Sequence, residues 1–513
     1  MNFNLINGNI ITLDQLNPIA NSVTVKNEKI LNIDNNNPKY QNIDLCGATV
    51  IPGFVDSHFH LTNLGKRLDM LNLKNCNSSQ EIAKLVVEKS KTVNDNDWIL
   101  GFGWDQTRWD ENEFPKKTLL NDLNIMQPVM LTRIDGHSCW VNENAIKSSG
   151  LNSSIQIDGG DIVNGCILID NAMNPIQESI PKSDDKMIQK WIKMAIKIII
   201  SRGITNIHDA WQTSDMIKNI NFLIDKNEFP IRCYGMLASH DQELISRYFN
   251  SGHYNSTYYT IRSVKAFIDG ALGSRGAALF EPYSDDEHNC GLILISHDEF
   301  NELATNCKKA GFQLCTHAIG DKGNSMVIDT YSKTMKNISD HRWRIEHAQM
   351  VRDEDISKFY KNGIVPSMQP SHCTSDMRWM KDRLGEHRIH RISRWKSFID
   401  SGCKIPGGSD CPIEEGNPLF EYYAAVTRKD HRGYPNTGWQ PQECISRLDA
   451  LKMLTSWGAY GEFAEHRRGK IKIGFDADFT VLSDNILTCD FDKILKTNIL
   501  MTIINGKILK NIL

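Results

Sequence analysis

Apolar and polar positions follow one rhythm at the two ends of this chain and another through its middle. The first fifty residues hold short β-type runs: Leu5-Ile6-Asn7-Gly8-Asn9-Ile10-Ile11, Ser22-Val23-Thr24-Val25 and Lys29-Ile30-Leu31-Asn32-Ile33. Asn7-Gly8 and Asn27-Glu28 stand where hairpin turns belong. The last fifty residues read the same way, with Phe479-Thr480-Val481-Leu482 and a second Asn-Gly step at Asn505-Gly506. These ends predict one small β domain, a β-sandwich assembled from residues 1–50 and 466–513. Between them, over 51–465, apolar strand-like runs alternate with helical stretches, which argues for βα units around a parallel sheet. Strands are predicted near 49–54, 205–208, 231–236, 264–268, 313–316, 344–346, 363–367 and 404–407. Eight of them favour a (β/α)8 TIM-type barrel over an open sheet. The first two are too far apart for one helix, so residues 65–180 are predicted to be an inserted subdomain, placed as a lid after strand 1.

Composition narrows the function classes. The chain has 513 residues, 40% hydrophobic and 23% charged, as in an ordinary soluble globular protein. A formal net charge of −4 gives no support for nucleic-acid binding. The 13 cysteines are dispersed without a Cys-x-x-Cys pair, which fits reduced thiols better than a disulfide framework or a zinc ribbon. The N-terminus lacks the basic and apolar regions of a signal peptide, and no apolar run reaches the roughly 18 residues of a spanning helix. The expectation is a cytoplasmic protein with a small-molecule substrate and no membrane partner. A homodimer is the default assembly.

Catalytic groups of a barrel lie at the C-terminal ends of its strands. The first predicted strand runs into Asp56-Ser57-His58-Phe59-His60. Alternation puts His58 and His60 on one side, roughly 6.5 Å apart along the chain, a reach at which two imidazoles hold one metal ion. The other strands end at His208-Asp209, Lys265, His317, Glu346-His347 and Asp410. Singly, His317, His347 and Asp410 each read better as satisfied polar or loop residues, and the joint placement of the whole set is the signal. Lys265 sits on a strand covered on both faces, where a free ammonium is costly unless paired. It is either salt-bridged to Asp269 or Glu346, or has reacted with carbon dioxide to give a carbamate able to bridge two cations.

With these motifs in view, the chain resembles the amidohydrolase superfamily, and within it the amidohydrolase-3, YtcJ-like branch that includes N-substituted formamide deformylases. The motifs are Pro52-Gly53-Phe54-Val55-Asp56-Ser57-His58-Phe59-His60, the run from Val264-Lys265 through Ser274-Arg275, Thr316-His317-Ala318-Ile319-Gly320-Asp321, Arg344-Ile345-Glu346-His347-Ala348-Gln349 and Gly408-Ser409-Asp410-Cys411-Pro412. The resemblance implies that His58 and His60 bind one metal with Asp410 beside it. It implies that His317 and His347 bind a second, and that carbamylated Lys265 bridges the two. Zinc suits these ligands, with manganese, iron and cobalt open as alternatives. Three further motifs fit the branch as candidate substrate contacts: Gly103-Trp104-Asp105, Asp135-Gly136-His137-Ser138, and Gln369-Pro370-Ser371-His372 with Trp379 and Arg383. Arg275 joins them, and lid packing or capping is the alternative role. After Ser274-Arg275 the branch leads one to expect a hydroxyl residue, and this chain has Gly276.

The implied reaction is hydrolysis of carbon–nitrogen bonds other than peptide bonds, in linear amides or N-substituted formamides. A metal-bridging hydroxide attacks, and Asp410 is the catalytic proton carrier. Two other readings stand beside it: a one-metal deaminase on the same fold, and a non-catalytic regulatory or scaffold protein.

Overall fold

Seven parallel strands make the central sheet: β1 (Phe54–Phe59), β2 (Ile204–Gln212), β3 (Arg232–Ala238), β4 (Tyr259–Phe267), β5 (Gln313–Ala318), β6 (Arg344–His347) and β7 (Val365–Ser367). Each is hydrogen-bonded to the next in that order, and the short Tyr254–Asn255 strand pairs antiparallel with β4. The computed structural model describes residues 1–110, 112–151, 157, 159–338 and 340–513. β1 and β3 are buried at every position, because a parallel sheet is covered on both faces.

The gap between β7 and β1 is filled by residues 405–411, which are not a regular strand. Ser57 N donates to Gly407 O at 2.9 Å, Asp410 N to His58 O at 2.7 Å and His60 N to Cys411 O at 2.9 Å. On the other side Met368 N donates to Pro406 O and Gly408 N to Met368 O, both at 3.1 Å. Pro406 and Pro412 lack the N–H that a continuous ladder needs. Gly408 is required by close approach, since a Cβ there would collide with the His58 backbone nitrogen.

One expected strand divides in two. The run predicted as the first barrel strand, 49–54, breaks at Pro52-Gly53. Thr49–Pro52 pairs with Asn9–Ile11 and Phe479–Leu482 in a terminal sheet, and the barrel strand begins at Phe54. An unbroken apolar run carries no sign of which sheet it serves. The terminal sheet has the order Lys507–Asn511, Ile499–Ile504, Phe479–Leu482, Thr49–Pro52, Asn9–Ile11, Ile19–Ala20, so its strands come from both ends of the chain. A second sheet orders Lys29–Ile33, Val23–Lys26, Asn2–Ile6 and Gln41–Asp44. Phe3, Leu5, Val23, Val50, Phe479, Met501 and Ile503 share one buried cluster. Asn505 and Gly506, both at positive φ, make the hairpin turn expected of Asn-Gly. Asn7-Gly8 does not: it passes the chain from one sheet to the other. Buried Arg232 on β3 fixes this region to the barrel, with Nε and Nη2 each 3.1 Å from the Asp478 carboxylate.

The chain divides into two compact units, 1–61 with 195–513, and Thr62–Met194. The second has its own six-stranded sheet, ordered Gly160–Val163, Ile167–Asp170, Ser138–Val141, Val129–Arg133, Ile99–Trp104, Leu71–Asn72. Trp104, Trp109 and Trp140 fill its core. No helix among the described residues is long and apolar enough to cross a membrane.

Candidate metal centre

β1 brings Asp56 and His58 to one face by its two-residue period, and His60 follows the strand end. Asp56 pins the loop that carries Asp410: it accepts from Ser409 N at 3.0 Å and Ser409 Oγ at 2.5 Å. Burial pushes the Asp56 carboxyl up to about 7 against these bonds. Asp410 then turns inward with φ 56°, and His347 ends β6 with φ 72°, both left-handed conformations rare for residues with a side chain.

The six expected ligands converge. His58, His347 and Asp410 offer ligand atoms within 4.8 Å of one another. Asp410 Oδ1 is 3.0 Å from His60 Nε2 and 3.5 Å from His58 Nε2. Lys265 Nζ lies 3.4 Å from His58 Nε2. The His317 ring is centred 4.6 Å from that of His347, which is 4.9 Å from that of His58.

Hydrogen bonds behind the imidazoles set their tautomers. His58 Nδ1 meets Glu346 Oε2 at 2.6 Å, and His347 Nδ1 meets Gln369 Oε1 at 2.8 Å. Both acceptors hold the proton on Nδ1 and leave Nε2 free as a ligand. Glu346 is itself held by Arg344, whose Nε is 2.7 Å from Oε1 and Nη2 3.0 Å from Oε2. Burial pushes the Glu346 carboxyl up, but Arg344, His58 and Lys265 outweigh it and keep the group well below the usual range.

Charge state follows from the same packing. Burial, then the Lys265 ammonium, lowers His58 to about 4 and His317 to about 3. Burial and then His317 take His347 well below its ordinary value. Burial lowers Lys265 too. Asp410 is pushed up by burial, but the surrounding imidazoles, His58 foremost, bring it well below the usual carboxylate range. His58, His317 and His347 are therefore neutral and Asp410 ionised at neutral pH, the protonation states that divalent metals require. Asp410 Oδ1 and His317 Nε2 are buried and make no hydrogen bond, which is the deficit a bound cation would fill, and His372 Nε2 beside them is likewise without a hydrogen-bond partner among the described residues. The donor set fits a divalent metal.

The expected substrate contacts fare unevenly. His372 lies against the cluster, its ring stacked 5.8 Å from His347 and Nε2 3.7 Å from Asp410 Oδ2. Arg275 and Arg383 both pair with Asp285, and Arg383 also donates to Gly273 O at 3.2 Å. These two guanidiniums tie the loop after β4 to the helix Pro370–Arg388, and Trp379 packs beside Gly273. In the Thr62–Met194 unit, Trp104 is fully buried and donates its indole N–H to Leu131 O at 2.7 Å, within that unit's own core. His137 is exposed there and pairs with Asp170 at 2.7 Å. Glu346 and Gln369 were not singled out as ligand-orienting groups. The signal for Glu346 was present, since alternation places Arg344 and Glu346, opposite charges, on one face of a buried strand.

Comparison with known proteins gives a consistent answer. The amidohydrolase family profile matches residues 41–510. YtcJ of Bacillus subtilis (strain 168), an amidohydrolase by assignment, is 32% identical over 483 residues, covering 92% of this chain and 90% of that protein. The N-substituted formamide deformylase of Arthrobacter pascens is 21% identical, covering 98% of this chain and 97% of that protein. Among solved structures, an uncharacterized metal-dependent hydrolase from Pyrococcus furiosus superposes with a TM-score of 0.81 at 28% identity, over 95% of this chain and all of that one. By sequence profile, relatives and fold alike, this chain belongs to the amidohydrolase family, in its YtcJ-like branch.

Proposed function

We propose that the protein is a metal-dependent hydrolase of carbon–nitrogen bonds other than peptide bonds, acting on linear amides of the N-substituted formamide type. One observation carries this reading: imidazoles, a carboxylate and a buried lysine converge at the strand ends, with ligand atoms of His58, His347 and Asp410 within 4.8 Å of one another and Asp410 Oδ1 and His317 Nε2 left without a hydrogen bond. His58 and His60 would hold one divalent cation with Asp410, and His317 and His347 a second. Lys265 would join them as a carbamate, and burial shifts its pKa downward, the direction that carbamate formation needs. When bound, such cations supply a water acidic enough to act near neutral pH and polarise the substrate carbonyl. Asp410 takes the proton that the attacking water gives up and passes it to the departing nitrogen, so that the amide and water become a carboxylic acid and an amine. His372, beside Asp410, would donate to the carbonyl oxygen as charge develops there. Zinc is the metal that this ligand set favours.

The test is amine release from a panel of N-formyl and N-acyl amines by zinc-loaded protein, with Asp410→Asn alongside. Release by the wild type alone supports the reading. No release from any member, or equal release by Asp410→Asn, defeats it. A one-metal deaminase is favoured by a separate observation: among the described residues, the mutually close ligand set is His58, His347 and Asp410, enough for one ion. Metal content per chain separates the two readings, as does the presence or absence of one added carbon dioxide on Lys265.

A further inference from the structure

Trp211 is the most strained aromatic residue at the strand ends. Its φ is +104°, a region that side-chain-bearing residues rarely adopt. It is also the extra residue of a β-bulge: Ala210 pairs with Met236 and Gln212 with Leu237, leaving Trp211 without a partner. Bulges re-aim side chains at strand ends, and a glycine or asparagine would serve the backbone here at less strain. Surroundings that over-determine the conformation keep it in place. Gln212 is fully buried, donates to Asp209 Oδ2 at 2.7 Å and accepts from the Tyr259 hydroxyl. Asp209 in turn accepts from Leu61 N at 2.9 Å, next to His60.

The indole is linked to the ligand cluster through one intervening ring. Trp211 stacks on His240, with centroids 4.9 Å apart and planes at 14°. It meets Phe267 edge-on at 4.9 Å and 67°. Phe267 ends β4 two residues past Lys265, and its ring is centred 5.0 Å from that of His317. Four rings thus run outward from an expected ligand. Trp211 and Phe267 are half-buried and His240 is exposed, so this is a surface and not core packing.

We propose that Trp211 and Phe267, backed by His240, form the wall that selects substrates with a planar aromatic substituent beside the scissile bond. The proposal rests on the amide-hydrolase reading above and names the substrate class for that same site. An aromatic ring laid on this wall gains edge-to-face and stacking contacts that an alkyl group of similar reach does not.

Benzohydroxamate and acetohydroxamate carry the same metal-chelating group and differ only in phenyl against methyl. Titrated into zinc-loaded full-length protein by calorimetry, the phenyl compound is expected to bind about ten-fold more tightly. In Trp211→Gly, which removes the ring and relieves the positive φ, that preference should fall to about two-fold or less. Melting temperature reports whether the variant folds. If it does not, His240→Ala, at an exposed position, should lower the preference by about three-fold. An unchanged phenyl preference in the folded variants overturns the proposal and leaves the amide-hydrolase reading standing, as does tight acetohydroxamate binding with no phenyl preference in the wild type. Failure of acetohydroxamate itself to bind defeats the amide-hydrolase reading, and the wall falls with it.

Discussion

Replacing Glu346 by glutamine tests whether the group behind His58 governs metal binding. The contact at risk is His58 Nδ1–H to Glu346 Oε2, 2.6 Å long and wholly buried. A hydrogen bond to a charged group contributes about 1.5–3 kcal/mol net, which is about 10- to 150-fold in an equilibrium constant. Losses at ligand-orienting positions in metalloproteins fall in the same range, about 10- to 100-fold in affinity. A second consequence follows from Arg344. Its guanidinium would keep its contacts to Ser57 O and Ser367 Oγ but lose its only carboxylate partner among the described residues. Breaking a buried ion pair from one side costs about 3–5 kcal/mol. Glu346→Gln is therefore expected to weaken zinc about 10- to 100-fold in chelator competition and to lower the urea midpoint of the metal-free protein. Gln369→Leu is the control, because it removes the acceptor from His347 without stranding a charge. It should weaken zinc by about 2- to 10-fold and leave metal-free stability nearly unchanged. Zinc affinity in Glu346→Gln within about two-fold of wild type would refute the claim that this carboxylate sets the tautomer of His58.

Four further outcomes are expected. Asp410→Asn should retain metal while amide hydrolysis falls by about 10²- to 10⁴-fold, the range for a lost general acid–base, read from initial rates on zinc-loaded protein. Lys265→Met should lose at least one metal by elemental analysis and show no added carbon dioxide by mass spectrometry; two tightly held metals would remove the bridging role. Gly408→Ala forces a Cβ against the His58 backbone nitrogen, so it should destabilise by about 1–3 kcal/mol and lower metal occupancy together, checked by thermal melting and elemental analysis. Asp476 is pushed up by burial but brought net below its ordinary value by Arg232, Lys29, Arg468 and Arg467. A depressed folded-state value means its stabilisation is full above the unfolded value of about 4 and is lost as pH falls through the folded one. The stability gap between wild type and Asp476→Asn should therefore narrow below about pH 4 in denaturant titrations, and a gap constant with pH would contradict it.

Legibility in the sequence tracked how local the signal was. The ligand residues were readable because a parallel barrel turns a repeated position, the strand end, into a shared place in space. That rule puts His58, Lys265, His317, His347 and Asp410 at equivalent places, together with His208-Asp209, and the family resemblance picks out the ligands among them; the structure gathers those five. The split of residues 49–54 between two sheets was not readable, since Val50 and Ile51 would suit either, and only the partners Phe479–Leu482 decide it. The packing of the tryptophans was not readable for a related reason. Composition marks aromatic residues without saying which are core, and Trp104 fills the core of its own unit while Trp211, unremarked in the sequence, packs on Phe267, one ring from His317. What reveals Trp211 is a bulge and a backbone angle, and neither leaves a trace in residue type.

Strain at the strand ends has a common physical origin. Trp211, His347, Ala348 and Asp410 all have positive φ, none is a glycine, and they lie at the ends of β2 and β6 and in the segment that fills the eighth position. Regular parallel strands point successive side chains alternately in and out, so at most every second residue at a strand end can face the axis. A left-handed residue breaks that alternation and turns an extra group inward, at about 1–3 kcal/mol each. Such conformations persist only where buried partners hold them: Ser409 on Asp56 beneath Asp410, Gln369 beside His347, and Gln212 behind Trp211. If the reasoning holds, glycine at Ala348, which relieves φ and removes only a methyl group, should raise the melting temperature while lowering zinc affinity through a looser His347. A variant that gains stability and keeps its metal affinity would show that the strain does not serve the site.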